Sequence, residues 1–227
     1  ALDTDVMIVQ ELKSASAADS FLINVLRVSQ PGRVWKGGAS TYLSATESAL
    51  YYDSLAVSYS NLGAIADGGP RQVLVALIKP NGYRTAPTQF RLYSAHLKAG
   101  AATSSTTDST TRRNECTNLR STLTLAPTGT NLLLGGDMNF YGSWEGGYIR
   151  LTESQLDNDG RLKDPLNMSG TWQNPAYALY LTQCPCLGAG CPTTAAFSGG
   201  GLDDRFDMLL ASYSLFDGQG LDVVPGN

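Results

Sequence analysis

Apolar positions recur along the chain in two rhythms. Short apolar runs fall at Asp5–Gln10, Gln72–Ile78 and Asn131–Gly135, and runs of this length between polar residues predict strands buried on both faces. Ala49–Tyr52, Ala56–Tyr59 and Gln89–Ser94 are shorter strand-like pieces. Asn81-Gly82 marks a turn between Gln72–Ile78 and Gln89–Ser94, so that pair reads as a hairpin. Helical spacing runs over Ala17–Gln30, through Phe21, Leu22, Val25, Leu26 and Ser29, and Pro31-Gly32 stops it. Further helices are predicted around Arg112–Leu123 and over Trp144–Leu156, the second weakened by Gly146-Gly147. A long irregular stretch, Asp157 to Gly201, leads to a strand at Arg205–Ser212 and a strand-like run at Leu221–Val224. Strands dominate, with helices between them. The pattern predicts an α+β sandwich of two packed sheets with helices outside.

Composition narrows the classes. No repeat and no linker divides the 227 residues, a length that suits one domain, 1–227, with a substantial core. Hydrophobic content of 42% with 16% charged residues describes a folded chain. The formal charge of −4 argues against a general polyanion-binding surface but leaves room for a local one. Val73–Ile78, the longest wholly apolar run, is too short to cross a bilayer, so no stable membrane insertion is expected. The single histidine removes His-rich metal cages and confines any Ser-His-Asp arrangement to His96. Chemistry must then rest mainly on carboxylates and amides. Of the four cysteines, Cys184, Cys186 and Cys191 crowd one Pro- and Gly-punctuated loop, remote from Cys116 and His96. That spacing suits disulfides better than zinc, with the pairing open, and with the low charge it points to a secreted or periplasmic protein. The chain opens at Ala1 without Met or leader, and closes just after a strand-like run. The expectation is a processed segment whose terminal strands are missing.

Polar residues at strand exits are the candidate chemistry. Gly135-Gly136-Asp137-Met138-Asn139 follows the apolar Leu132–Leu134. If the extended geometry continues, Asp137 and Asn139 project together while Met138 turns inward. A carboxylate beside a carboxamide suits phosphodiester hydrolysis, the one orienting or deprotonating water, the other donating to a phosphate oxygen. The plainer reading is an Asx turn. Gln10-Glu11 ends the first apolar run, where a carboxylate can hold a hard cation or, more simply, cap a helix or face solvent. In Ser94-Ala95-His96-Leu97-Lys98, alternation puts Leu92, Ser94 and His96 on one side and Tyr93, Ala95 and Leu97 on the other. In Asp204-Arg205-Phe206-Asp207, alternation leaves Arg205 and Asp207 opposite the apolar Phe206, Met208 and Leu210. An Arg205–Asp204 pair is the structural reading, and Asp207 orienting an imidazole is the functional one.

Taken in this order, Gln10-Glu11, Ser94-Ala95-His96, Gly136-Asp137-Met138-Asn139 and Arg205-Phe206-Asp207 resemble the successive motifs of the endonuclease/exonuclease/phosphatase superfamily. That group includes pancreatic-type deoxyribonucleases, apurinic endonucleases, neutral sphingomyelinases and inositol-polyphosphate phosphatases. His96-Leu97-Lys98-Ala99-Gly100, a following helix with Arg113, and Gly200–Asp207 are similar to secreted bacterial members. The similarity spans Asp5 to Ser212. It implies a deoxyribonuclease-I-like, four-layer α/β sandwich, mainly antiparallel, with its site at one end of the two sheets. By the same resemblance Glu11 is the metal ligand, Asp137 positions or activates the attacking water, and Asn139 contacts phosphate and orients water. His96 touches the scissile phosphate, Asp207 is the aspartate of the Arg-x-Asp strand, and Glu47 is the candidate acidic partner of the histidine.

The implied chemistry is Mg²⁺-assisted, with Mn²⁺ or Ca²⁺ as alternatives, and the implied substrate is nucleic acid. Family members also carry an Asn strand ahead of Gln-Glu and a late histidine motif, and neither is among these residues. The expectation is therefore that the 227 residues alone are inactive or crippled. The leading reading is a secreted endonuclease or phosphodiesterase. A lipid or sugar phosphoesterase and a catalytically inert binding module are the alternatives.

Overall fold

The structure, a computed structural model, describes residues 3–39, 47–83, 85–100, 107–182 and 204–224. Its strands are β1 (Val6–Leu12), β2 (Trp35–Ala39), β3 (Glu47–Asp53), β4 (Val57–Ala66), β5 (Gln72–Pro80), β6 (Phe90–His96), β7 (Leu132–Asp137), β8 (Leu162–Lys163) and β9 (Asp207–Ser212). Its helices are α1 (Ala15–Phe21), α2 (Arg27–Ser29), α3 (Thr107–Thr124) and α4 (Gly146–Thr152). The smaller sheet has the order β1-β3-β2 and the larger β4-β5-β6-β7-β9-β8. Among the described strands only β6 and β7 pair in parallel, joined through α3, as a parallel pair requires a crossover.

The continuous apolar runs are explained by burial on both faces. Leu74, Ala76, Ile78 and Leu92 of the larger sheet meet Leu50 of the smaller, with Val6, Ile8 and Leu133 packed against them. The alternate residues Val73, Val75, Tyr93, Ala95, Leu132 and Leu134 pack with Cys116, Leu119 and Leu123 of α3. Behind the smaller sheet, Ala49, Tyr51 and Trp35 pack with Ala18, Leu22 and Leu26. The layers are helix, three strands, six strands, helix. That is the predicted α+β sandwich, mainly antiparallel.

Several elements differ from expectation. The first helix begins at Ala15 behind the Ser14 cap, and Leu22–Leu26 form a π-helical turn before α2. The fourth helix shrinks to Gly146–Thr152, because the Glu145 side chain is drawn into the core by Arg112 and Glu153 leaves in extended backbone. Strand β2 escaped the sequence reading because its Gly37-Gly38 has no β propensity; a Cβ at Gly37 would stand 2.0 Å from the Leu50 carbonyl oxygen. Leu221–Val224 is no strand. Gly218 and Gly220 take positive φ, and Val223 folds back to donate to the Leu215 carbonyl. The cysteine reading is corrected at Cys116, a free thiol buried on the sheet-facing side of α3. Cys184, Cys186 and Cys191 lie outside the described residues. No described helix is long and apolar enough to cross a membrane.

Candidate active site

The ends of four strands meet at one edge of the sandwich. Parallel pairing sets His96 of β6 beside Asp137 of β7, and antiparallel pairing sets Asp137 opposite Asp207 of β9. Strand β1 arrives from the other sheet: the Gln10 carboxamide donates to the Ser94 hydroxyl at 3.1 Å. Gly135 and Gly136 permit that approach. A Cβ on Gly135 would meet Ile8 at 2.9 Å and Leu209 at 2.5 Å, and one on Gly136 would stand 2.0 Å from the Ala95 carbonyl oxygen. Gly136 also holds φ +128, a conformation that favours glycine.

Glu11, His96, Asp137 and Asp207 are thereby brought together. His96 Nε2 lies 3.5 Å from Asp137 Oδ2 and 3.8 Å from Glu11 Oε1. The imidazole is buried, and neither ring nitrogen has a hydrogen-bond partner. Burial, with the nearby charge of Arg71 adding to it, lowers its pKa to about 4, so the ring is neutral at pH 7. Burial also raises Asp137 to about 6, reinforced by the negative charges of Asp207 and Glu11. Glu11 occupies a bulge in β1 at φ +62 with its side chain mostly exposed. It caps no helix, since Ser14 caps α1.

The Asp137–Asn139 segment departs from extended geometry. Asn139 turns to φ +51, its backbone N–H donates to Asp137 Oδ1 at 3.1 Å, and its carboxamide donates to the Leu97 carbonyl at 3.2 Å. The Asx turn and the site are one feature, and Asn139 steadies the carboxylate from within the core. Met138 is buried as expected. The Arg205 reading is corrected. Arg205 is buried and pairs with Asp164, not Asp204, through two bonds of 2.7 and 2.8 Å, while stacking over Trp172. This pair anchors the chain just before Asp207. Nor does Asp207 orient the imidazole, whose nitrogens have no partner; Asp207 faces Asp137. Of Glu47 only the backbone is described, opposite Leu12 at the start of β3.

No protein-family model and no curated protein matches the chain by sequence. Solved structures match its fold. One is an endonuclease/exonuclease/phosphatase family protein from Bacteroides thetaiotaomicron, 12% identical over 93% of this chain and 70% of that one, with a TM-score of 0.54. The chain has the endonuclease/exonuclease/phosphatase fold. Two more structures share it. D. rerio TDP2 complexed with single strand DNA product is 15% identical, covering 92% of this chain and 70% of that one, TM-score 0.55. The mannosyl-6-phosphatase of Bacteroides thetaiotaomicron is 13% identical, covering 93% and 72%, TM-score 0.55.

Within the endonuclease/exonuclease/phosphatase fold of this chain, sequence reasoning missed Arg71. It enters from the β4–β5 connection, donates to the Leu97 carbonyl at 3.1 Å, and its charge acts on both His96 and Asp137. Gly68-Gly69-Pro70-Arg71 reads locally as an ordinary turn, and only the sheet order brings it behind the histidine.

Proposed function

We propose that the protein is a divalent-metal-dependent phosphodiester hydrolase acting on DNA or RNA. One observation carries this reading: the Glu11, Asp137 and Asp207 carboxylates converge with an unpartnered, neutral imidazole at the sheet edge. Such an all-oxygen donor set suits a hard cation. Among the described residues no three His, Cys, Asp or Glu side chains are gathered tightly enough to hold an ion by themselves. Mg²⁺ asks for less, since one or two carboxylates with water and substrate oxygens hold it. Glu11, with Asp137 or Asp207 beside it, would do so, for Mg²⁺ or for Mn²⁺ or Ca²⁺. When bound, the ion stabilises negative charge on the phosphoryl oxygens.

The remaining steps belong to the chain. Asp137, as the carboxylate, accepts the proton of the attacking water. Neutral His96 donates from a ring nitrogen to a phosphoryl oxygen. Asn139 fixes the Asp137 carboxylate, and Arg71 adds positive charge behind both groups. The TDP2 structure with single strand DNA product supports a nucleic acid substrate for this fold. Export belongs to the same reading and rests on the low charge and the Cys184–Cys191 cluster.

A second reading has its own observation. A cavity of about 620 Å³ opens beside Gln10, Gly136 and Asp207, and Val6, Ile8, Leu166, Met208 and Leu209 line it. That wall suits a lipid phosphoester. The deciding experiment compares Mn²⁺ and Mg²⁺ stabilisation with hydrolysis of DNA, RNA and a short-chain phospholipid. On the full-length protein, metal should raise Tm, nucleic acid should be cleaved, and Asp137→Asn should lower kcat by roughly 10²–10⁴. Preference for the phospholipid favours the second reading. Absence of both metal stabilisation and hydrolysis would overturn the proposal, and stabilisation without hydrolysis points to a binding module.

A further inference from the structure

Helix α3 buries Glu115 completely, on the face of the larger sheet away from the carboxylates. A carboxylate in that position is costly unless its oxygens are satisfied. Glu115 Oε2 accepts the Lys98 backbone N–H at 3.1 Å, while Oε1 has no hydrogen-bond partner. Oε1 stands against Gly69, where a Cβ would come within 1.7 Å of it. The side chain thus touches two segments, the exit of β6 just after His96 and the glycine turn that delivers Arg71.

The β6 exit is tied through backbone groups of Leu97, Lys98 and Gly100. Leu97 N–H donates to the Asp137 carbonyl, and the Leu97 carbonyl accepts from Arg71 and Asn139. Lys98 N–H donates to Glu115, and the carbonyls of Lys98 and Gly100 accept from Arg112. On the turn, Asp67 Oδ1 accepts the Gly69 N–H, and Asn118 of α3 donates to the Asp67 carbonyl. Arg112, Glu115 and Asn118, on one face of α3, therefore hold both segments from behind.

We propose that Glu115 is a positioning residue for the site: its buried carboxylate fixes the β6 exit and the Gly69 turn together, and so sets where His96 and Arg71 stand. This rests on the hydrolase reading of the same site. The groups that face Glu115 are Asp67 and Arg71 from the β4–β5 connection, the Lys98 amide from β6, and Arg112 and Cys116 from its own helix. Burial raises its pKa to about 7, Asp67 adding to the rise while the Lys98 N–H, Arg71 and Arg112 oppose it. The charge at this position therefore changes near neutrality.

Glu115→Gln keeps an acceptor for the Lys98 amide and removes the charge, whereas Glu115→Ala removes both. In the Mg²⁺-loaded protein, the ring resonances of the lone histidine and the Arg71 Nε–H should show a pH inflection near 7 that Glu115→Gln abolishes. Glu115→Gln should also unfold at a higher Tm than the wild type at pH 8, because the buried charge is gone. Well below its Tm, Glu115→Ala should lose roughly 10²-fold in kcat with KM little changed, the scale of a displacement of about 1 Å. Wild-type resonances without that inflection, or a Glu115→Ala that loses Tm and keeps kcat, would overturn the proposal. A wild type without hydrolytic activity would sink the hydrolase reading, and the resonance comparison would still decide this one.

Discussion

Glu11 and Asn139 hold φ values of +62 and +51, and Asn167 at +47 is the other described non-glycine residue with positive φ. Sparsely populated backbone conformations persist where the surroundings over-determine them. Here Asn139 is fixed by bonds to Asp137 and Leu97, and Glu11 by a bulge that swings its carboxylate toward His96. Asp137 shows the electrostatic consequence. Burial and then the Asp207 charge raise its pKa to about 6, so the metal-free site holds a proton below that pH. On the proposed reading, a metal ion bound by Asp137 would have to displace this proton. Mn²⁺ affinity, measured by calorimetry from pH 5 to 8, should rise about tenfold per unit up to pH 6 and level off above it. A flat profile would remove Asp137 from the metal site. In the metal-free protein the raised pKa makes Asp137 protonation stabilising, a contribution present below its unfolded pKa and lost as pH rises through about 6.

Strands β6, β7 and β9 place three of the site's groups by register. His96, Asp137 and Asp207 fall side by side because β7 pairs in parallel with β6 and antiparallel with β9. Gly136 is the point where β7, β6 and Gln10 come closest. Gly136→Ala, with φ +128 and a backbone oxygen 2.0 Å from the new carbon, should destabilise by about 3 kcal/mol or more in denaturant unfolding. A variant of wild-type stability would mean β7 can shift without cost. The start of β9 is secured differently, by the buried Arg205–Asp164 pair. Burial pushes the Asp164 carboxyl up, yet Arg205 outweighs it and the pKa lies below the usual carboxylate range. The stability it contributes is therefore present above pH 4 or so and lost as pH falls through the depressed value. Asp164→Asn should cost about 3–5 kcal/mol and, by loosening Asp207, weaken Mn²⁺ stabilisation as well.

Three apolar layers alternate with the sheets and helices, and each is shared between neighbours. Ala49, Leu50, Tyr51 and Tyr52 of β3 face two of these layers in turn. Unfolding of one layer should then expose the next. Leu26→Ala in the π-helical turn after α1 and Leu119→Ala in α3 should each cost about 2–5 kcal/mol and shift one common transition by calorimetry. Two separable transitions would divide the 227 residues into units that fold apart.

The one-dimensional pattern determined the alternation of strand faces, the outer position of the helices and the placing of Glu11, His96, Asp137 and Asp207 at strand ends. These are local properties: a period of two in Leu92, Ser94 and His96, and polar residues where apolar runs stop. The sequence also made Gly135-Gly136 conspicuous before Asp137. Beyond the hairpin of Gln72–Ile78 with Gln89–Ser94, it left unreadable what depends on which strands become neighbours. Arg71, Glu115 and Asp164 look like ordinary turn, helix and loop residues in sequence. Their work is done across 26, 17 and 41 residues, on Leu97, Lys98 and Arg205. Cys116 became a core residue and Arg205 a buried anchor for the same reason. Tertiary packing chose their partners, because burial makes an unpaired charge costly and only the folded sheet order decides which opposite group is in reach.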